Sequence, residues 1–344
     1  MNNRLNKFGI ELGRFLEYFN ISIKEFAERI DTTPKNLIDI IEGRISLSFN
    51  MICNISFISE ISVDYIINVE ESFKIDNYID KYIKEENITL KEYLNRFNYK
   101  ELMNKYNLSY RNIRNDYAIL EDIFKYLRIT NPTSIYKENN YIFYKSNNDK
   151  PELLALWLER CYKVVQNQKL KNYHNNNIKE LVEFVKKEAR TNSFDKEKLI
   201  KKFNDSGIFL AIEPDLKGSK IRGAFRVLNN CPAIYLTTKH KRYADIYFAL
   251  LHELAHCKSD FNRAKKGSII SFDDSTEKED YELKADKTAF NWMVDEKKYA
   301  KIKENIKDFK GEVPSFVVYR LAYDKYIKYN SDLYQKNNKI VNFN

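Results

Sequence analysis

The sequence predicts a multidomain protein that is mainly α-helical and ends in an α+β region. The chain has 344 residues, a length typical of two or three domains. Apolar residues recur at intervals of three and four through roughly the first 190 positions, which is the spacing of amphipathic helices. From about residue 207 the pattern changes to short extended runs followed by two longer helices, the order expected of an α+β unit.

Three regions follow from these patterns. Residues 1–72 predict a domain of short helices, residues 73–190 a charged helical linker or scaffold, and residues 191–344 the α+β domain. Within the middle region, residues 99–120 have a faint helix-turn-helix pattern. Any pair of helices gives such a pattern, so we interpret it as scaffold. In the last region, strands are predicted over the runs IFLAIEP, IRGAFRVL and PAIYLTT.

The first region carries clear signals for the ends of its helices. Two of its helices are predicted over about 48–59 and 62–71 by their apolar spacing. Residues that favour helix ends flank its second and third helices, namely Ser22, Thr33-Pro34 and Gly43.

Composition excludes several classes of protein. Hydrophobic residues make up 43% of the chain and charged residues 31%, which is typical of a soluble globular protein with buried cores. No apolar stretch approaches the length of about 18 residues that a membrane helix needs, and the first residues do not form a signal peptide. The four cysteines form no CxxC pair, so neither a disulfide framework nor a thiolate zinc site is predicted. We expect a cytoplasmic protein with no membrane partner.

The charge is unevenly distributed along the chain. The net charge is +9, but residues 1–75 contain eight Lys and Arg against eleven Asp and Glu, a balance of −3, which leaves +12 for the remainder. If the first region contacts DNA, it must do so through a locally arranged basic face. For the positive remainder, a solvated lysine-rich surface is a better interpretation than a nucleic-acid groove.

The segment His252-Glu253-Leu254-Ala255-His256 is an HExxH motif. On a helix, positions four apart share a face, so both imidazoles can bind one ion. Neither Pro nor Gly interrupts the sequence from Ala244 to Asp260, which favours a helix. Two of the four histidines of the chain lie in this pentapeptide. The motif predicts a zinc site.

A catalytic zinc ion takes three protein ligands and keeps one position open. Glu282 and Asp286 lie four residues apart on the next predicted helix, hence on one face. We predict that Glu282 is the third ligand and that Asp286 accepts a hydrogen bond from a ligand histidine. Acidic residues are frequent in this stretch, and Glu279 is the alternative ligand.

The chemistry predicted from these residues is hydrolysis. Zinc lowers the pKa of its bound water to about 7, and Glu253 is the predicted general base that takes the proton. His240, Tyr243 and Arg222 are all candidates for stabilising the oxyanion, and the sequence does not choose between them. An edge strand before the metal helix could hold an extended peptide by strand addition.

The region of about 205–325 resembles the ImmA/IrrE family of metallopeptidases. The family has a glycine-containing strand, an acid about seven residues before HExxH, and a later helix with the pattern E-x-x-A-(N/D). Gly223, Asp245 and Glu282-Ala285-Asp286 hold these places here. The resemblance implies a zincin-like fold and a zinc-dependent peptidase. The chain departs from the family pattern at positions that hold no predicted ligand: Ala249, Thr288, Val294 and Tyr319.

The segment Ser22–Arg44 resembles the helix-turn-helix of the XRE, or lambda-repressor-like, family without a gap. In that family the third helix enters the major groove, and a homodimer is expected from the way such modules read DNA. The resemblance implies that Arg44 contacts backbone phosphate and that the reading helix presents Thr33, Lys35, Asn36 and Asp39.

The combination of the two modules resembles the long HigA-type antitoxin-like regulators. The resemblance implies a regulatory zinc metalloendopeptidase that cleaves a repressor, an antitoxin or a related regulatory protein in a stress, phage or toxin–antitoxin circuit. Its expected partners are a protein substrate and operator DNA. The alternative is a non-proteolytic repressor or antitoxin in which zinc serves folding or sensing.

Overall fold

The computed structural model of the chain describes residues 7–101, 116–131, 134–135, 150–191, 194–272, 279–306, 309 and 311–341. These residues are mostly helical and include one four-stranded mixed sheet, so the mainly α composition is confirmed. They group into two compact units. The first runs to Leu90 and includes Asp116 and Tyr117, and the second begins at Lys91. Residues 102–115, which hold most of the faint second helix-turn-helix pattern, lie outside the described residues.

The first unit contains five helices among its described residues. They are α1 (Lys7–Tyr18), α2 (Ile23–Arg29), α3 (Pro34–Ile41), α4 (Phe49–Ser59) and α5 (Val63–Glu85). A hydroxyl side chain caps the amino end of each helix from α2 to α5 by accepting a hydrogen bond from the N–H three residues later. The capping residues are Ser22, Thr33, Ser48 and Ser62.

The turns of the first unit also follow the sequence. Asp31 lies in the left-handed region at φ 57°, and Gly43, which follows the end of α3, at φ 72°. One prediction was wrong: α5 does not end near residue 71 but continues to Glu85. Ile79 and Ile83 in this extension are buried, so the apolar face of the helix continues beyond the predicted end.

Eleven further helices follow among the described residues from Leu90 onward. None of the described helices is long and apolar enough to cross a membrane. The helices are α6 (Leu90–Arg96), α7 (Asp116–Leu127), α8 (Pro151–Val165), α9 (Asn177–Thr191), α10 (Lys196–Asp205), α11 (Tyr243–Ser259), α12 (Phe261–Ala264), α13 (Asp280–Met293), α14 (Glu296–Glu304), α15 (Pro314–Tyr323) and α16 (Asp332–Asn337).

The sheet has the strand order β1-β3-β2-β4. Strand β1 pairs parallel with β3, and β2 pairs antiparallel with both β3 and β4. The three predicted strands are confirmed, but β4 was missed because it lies in what the sequence predicted as a charged loop and has only four residues. The strands are β1 (Phe209–Glu213), β2 (Ile221–Leu228), β3 (Cys231–Thr237) and β4 (Ile269–Phe272).

Helix α11 is the central helix of the second unit. Apart from Asp245, every residue from Tyr243 to Cys257 is buried, as expected of a helix that is covered on all sides. The helix packs against β2 and β3 on one side and against α13 on another. This packing brings the HExxH motif between the sheet and the acidic helix.

Asn338 fixes the amino end of α11 from the far end of the chain. Its Oδ1 accepts a hydrogen bond from the N–H of Ala244 at 3.0 Å, and its Nδ2 donates to Asp245 Oδ2 at 3.1 Å. Asn338 is completely buried, and Arg242, the residue before the helix, supplies no side-chain cap. The side chain of Asn338 therefore takes the place of a helix cap.

We expect Asn338→Ala to lower the free energy of unfolding by about 2 kcal/mol, because a buried N–H loses its acceptor. Chemical denaturation measures this effect. Asn337→Ala is the control, since Asn337 is less buried and donates only to Leu333 in its own helix. Equal losses in the two variants would contradict the capping role.

Candidate metal centre

The two histidines of the HExxH motif face one another on α11. The distance between His252 Nε2 and His256 Nε2 is 3.0 Å, and both side chains are completely buried. The other sides of α11 are also buried. The imidazole edges face α13, where Glu282 lies. The spacing of four residues produces this geometry, as the sequence predicts.

Glu282 on α13 completes a group of three. Its Oε2 lies 3.2 Å from His252 Nε2, and its Oε1 lies 3.3 Å from His256 Nε2. The three ligand atoms all lie within 4.8 Å of one another, and the group could hold a metal ion. Glu279, the alternative ligand, is the exposed residue before α13 and does not belong to this group.

The separations of the three ligand atoms fit a small divalent cation. Ligand atoms about 2.1 Å from a tetrahedral ion are about 3.4 Å apart, close to the separations of 3.0, 3.2 and 3.3 Å found here. In addition, Glu282 Oε1 is buried, and among the described residues it has no partner other than His256 Nε2. A buried carboxylate oxygen in this state indicates that a cation belongs beside it.

Each ligand histidine has its own carboxylate on the opposite edge of the ring. His252 Nδ1 lies 2.8 Å from Asp286 Oδ1, and His256 Nδ1 lies 2.9 Å from Asp260 Oδ2. With Nδ1 donating to a carboxylate, Nε2 is left to bind the ion, and the ring is held in one orientation. The contact of Asp286 is the one predicted from the sequence, whereas that of Asp260 was not predicted. The signal was present, because Asp260 follows His256 by the same four-residue step.

The charges of the group influence one another strongly. Burial opposes ionisation of Glu282, but hydrogen bonds from His252 and His256 outweigh it and lower the pKa of its carboxyl group well below 4.5. Burial also lowers the pKa of His256, yet hydrogen bonds to Asp260 and Glu282 prevail and raise it to about 9. These carboxylates therefore favour the protonated form of His256, so a metal ion must compete with a proton for its Nε2.

We expect the affinity of the metal-free protein for zinc to rise about tenfold per pH unit up to about pH 9, because His256 must lose its proton to bind a metal. The pKa of His256 is raised from 6.5 to about 9. The protonated ring therefore stabilises the metal-free fold fully below pH 6.5, and this contribution disappears as the pH rises through about 9.

Calorimetry in two buffers of different ionisation enthalpy counts the protons that zinc displaces. At pH 7.5 we expect about one proton per ion from His256. An affinity that stays constant between pH 7 and pH 9 would contradict the raised pKa.

Glu253 lies between the ligands without joining them. The side chain is completely buried, and neither carboxylate oxygen has a hydrogen bond of good geometry among the described residues. Burial raises the pKa of the carboxyl group, while the neighbouring His252 and His256 and the Ser271 hydroxyl oppose this shift. The strand β2 lies directly against it at Gly223, where an added Cβ would be 2.5 Å from Glu253 Oε1. A side chain at this point of the strand would therefore displace the Glu253 carboxylate.

The three candidates for oxyanion stabilisation occupy different places. Tyr243 is the first residue of α11, nine residues and about 13 Å along the axis from His252, and His240 precedes the helix. Arg222 instead lies beside Asp286, with 3.7 Å between its Nη2 and Asp286 Oδ1. The structure therefore brings one of the three near the metal centre.

Two residues near the group were not found by sequence reasoning. The ring of Tyr281 meets that of His256 edge to face at 5.9 Å, and the guanidinium of Arg263 lies 4.3 Å above the Tyr281 ring. Cys257, which follows the ligand His256, is buried, and its Sγ lies 3.5 Å from the hydroxyl of Tyr173.

The DNA-contact candidates of the first unit are occupied by contacts within the unit. The Thr33 hydroxyl caps α3 by accepting from the N–H of Asn36, and the Asn36 amide donates to the Thr32 hydroxyl at 2.7 Å. Arg44 pairs with Asp39 at 2.6 Å and with Glu42. Lys35 lies exposed on the same helix. A phosphate at Arg44 would therefore compete with two neighbouring carboxylates for the guanidinium.

Comparisons of the chain with protein-family models, with curated proteins and with solved structures find no significant match.

Proposed function

We propose that the second unit is a zinc-dependent metalloendopeptidase of the ImmA/IrrE type, with a zincin-like arrangement. The observation that carries the proposal is the buried carboxylate of Glu253, which adjoins the ligand group without belonging to it. A purely structural metal site has no use for an uncompensated carboxylate beside its ligands, because burying such a group opposes folding. A hydrolytic site needs a base there.

The donor set supports zinc as the metal. Two imidazoles and one carboxylate are a common ligand set of catalytic zinc sites, which keep a fourth position for water or substrate. Bound zinc supplies a Lewis acid that acts on water and on the carbonyl of the bond to be cleaved. Asp286 and Asp260 hold His252 and His256 in the orientation that directs Nε2 toward the ion.

Glu253 transfers a proton at two points of the proposed reaction. Its raised pKa makes the carboxylate a stronger base than an exposed glutamate. In the proposed mechanism it takes a proton from the attacking water at a carboxylate oxygen. It then delivers that proton to the nitrogen of the departing amine. Its burial against Gly223 keeps the carboxylate fixed during both transfers.

Removal and return of zinc test the proposal. The purified chain is stripped with a chelator, reloaded with zinc, and incubated with a library of unfolded peptides and with the protein products of neighbouring genes. New amino termini are identified by mass spectrometry. We expect cleavage from the zinc-loaded protein and none from the metal-free protein. Cleavage that survives chelation would overturn the metallopeptidase proposal.

We expect Gly223→Ala to reduce hydrolysis about 100-fold with zinc still bound. The added Cβ would lie 2.5 Å from Glu253 Oε1 and 3.0 Å from Cδ, so the carboxylate must move, and a displacement of about 1 Å in a catalytic site has an effect of this size. Zinc content and hydrolysis are measured on the same preparation. Wild-type activity in this variant would show that Glu253 has freedom to move.

For the first unit we propose an XRE-type helix-turn-helix module that brings the peptidase to a regulatory protein or to its DNA. The contacts of Arg44 with Asp39 and Glu42 favour a second candidate, in which the module binds protein rather than DNA. Binding to a duplex from its own promoter, measured against salt, separates the two. If DNA is bound, we expect Lys35→Gln to reduce the slope of the logarithm of the binding constant against the logarithm of the salt concentration by about 1.

A further inference from the structure

Arg222 is an extra residue in strand β2. The register of β2 with β4 passes from Ile221↔Phe272 directly to Gly223↔Ser271, which is a β-bulge. In a regular strand Arg222 would point away from the face of Gly223, but a bulge redirects the side chain. The guanidinium lies over the ring of Phe248, with its Cζ 5.0 Å from the ring centroid. Phe248 precedes His252 by one turn of α11, so the bulge directs Arg222 toward the metal centre.

The guanidinium has no hydrogen-bond acceptor among the described residues. Its closest acid is Asp286, but 3.7 Å separates Nη2 from Oδ1, and that oxygen already interacts with His252 Nδ1. Only 12% of the side chain is exposed, and Nε is fully buried without a partner. Of the five N–H donors of a guanidinium, the one on Nε is buried without an acceptor among the described residues, which is unfavourable, whereas the terminal nitrogens are not in this state. The arrangement indicates that an acceptor arrives from outside.

The position of Arg222 restricts what that acceptor can be. Two groups lie between the Arg222 guanidinium and His252 Nε2, the nitrogen that faces the metal. They are the carboxylate of Asp286 and the imidazole ring of His252. An extended peptide spans a distance of this order with about two residues. Tyr319, Asp286, Glu253 and Glu282 all interact electrostatically with Arg222. The negative charges of these three carboxylates would be balanced by the guanidinium and a bound divalent cation. The site therefore has no charge left for a further carboxylate, whereas a neutral carbonyl oxygen needs none.

We propose that Arg222 binds a main-chain carbonyl of the substrate about two residues from the bond that is cleaved. This inference rests on the proposed peptidase function and deepens it. The site then takes extended polypeptide rather than a small amide, and it does so with little regard to side chains, since every residue offers the same carbonyl.

Two hydroxamates test the role of Arg222 without requiring turnover. Acetohydroxamate engages the metal alone, whereas a peptidyl hydroxamate adds two amide carbonyls beyond the chelating group. Their dissociation constants are measured by calorimetry on the zinc-loaded full chain. We expect Arg222→Met to weaken the peptidyl hydroxamate about 10- to 100-fold, the range for a hydrogen bond to a charged group. The affinity for acetohydroxamate should stay within about twofold.

Arg226→Met is the matched control. Arg226 is a second buried arginine on β2, four residues further on, and its guanidinium packs 5.9 Å from the ring of Tyr235. We expect it to change neither affinity. Arg222→Lys, which keeps the charge but not the planar fork, should weaken the peptidyl hydroxamate to a smaller extent and guards against a folding defect in Arg222→Met.

Three outcomes would overturn the inference. Equal loss of both ligands in Arg222→Met would show that the residue acts through Asp286 on the metal. Unchanged affinity for the peptidyl compound would show that no carbonyl binds there. Tighter binding of an analogue with a carboxylate at that position would make it a carboxylate site. All three leave the peptidase proposal standing, because that proposal fails separately if the zinc-loaded chain cleaves no peptide.

Discussion

Replacing Glu253 with glutamine is expected to reduce peptide hydrolysis by about 10²- to 10⁴-fold while zinc stays bound. The size follows from the usual contribution of a positioned general acid–base. Glutamine keeps the shape of glutamate but cannot accept and return a proton. Since Glu253 is not a member of the ligand group, the metal content should remain one ion per chain.

The same substitution should not destabilise the fold. Both carboxylate oxygens of Glu253 are buried without a hydrogen bond of good geometry among the described residues, and burial raises the pKa of the group. Removing a buried ionisable group of this kind relieves a desolvation penalty. The measurement pairs single-turnover hydrolysis with metal analysis and the unfolding midpoint. Hydrolysis that survives at the wild-type rate would contradict the assignment of Glu253 as the general base.

Much of the metal centre could be predicted because it depends on local spacing. The pairs His252 with His256 and Glu282 with Asp286 are each four residues apart, and a helix converts that spacing into a shared face without reference to the rest of the fold. Asp260 obeys the same rule and could have been found by extending the series one step. The spacing does not predict the distance between α11 and α13, because the packing of the two helices determines it.

The features that were missed depend on contacts between distant segments. Strand β4 has four residues and is recognisable mainly through its pairing with β2. The bulge at Arg222 arises from that same pairing, so alternation along β2 alone assigns the side chain to the wrong face. The cap that Asn338 places on α11 joins residues 94 positions apart. Propensity and periodicity describe single elements, and none of these contacts lies within one.

In the first unit, the local structure could be predicted from the sequence but the function could not. Its caps at Ser22 and Thr33 and the left-handed turn at Asp31 follow from residue types alone. Its function does not, because Arg44 is paired with acids of its own segment. A sequence pattern predicts which residues face outward, whereas their availability for a partner depends on the charges beside them.

Replacing Glu282 with glutamine is expected to abolish stoichiometric zinc binding and, with it, hydrolysis. The carboxylate supplies one of the three ligand atoms, and its negative charge attracts the cation. Loss of an outer-sphere partner such as Asp286 weakens metal binding about 10- to 100-fold, and loss of the ligand itself should exceed that. Zinc affinity is measured by competition with a chelator of known strength.

Glu279→Gln is the control that makes this result specific. Glu279 has the same side chain, lies three residues before Glu282, and was the alternative ligand from the sequence, but it is exposed at the start of α13. A general effect of acidic charge near the site would weaken zinc binding in both variants by similar amounts. A ligand effect falls on Glu282 alone, because coordination requires an oxygen about 2 Å from the ion and only Glu282 places its oxygens between the two histidines. If Glu282→Gln binds zinc with wild-type affinity, Glu282 is not the third ligand, and the metallopeptidase proposal loses its physical basis.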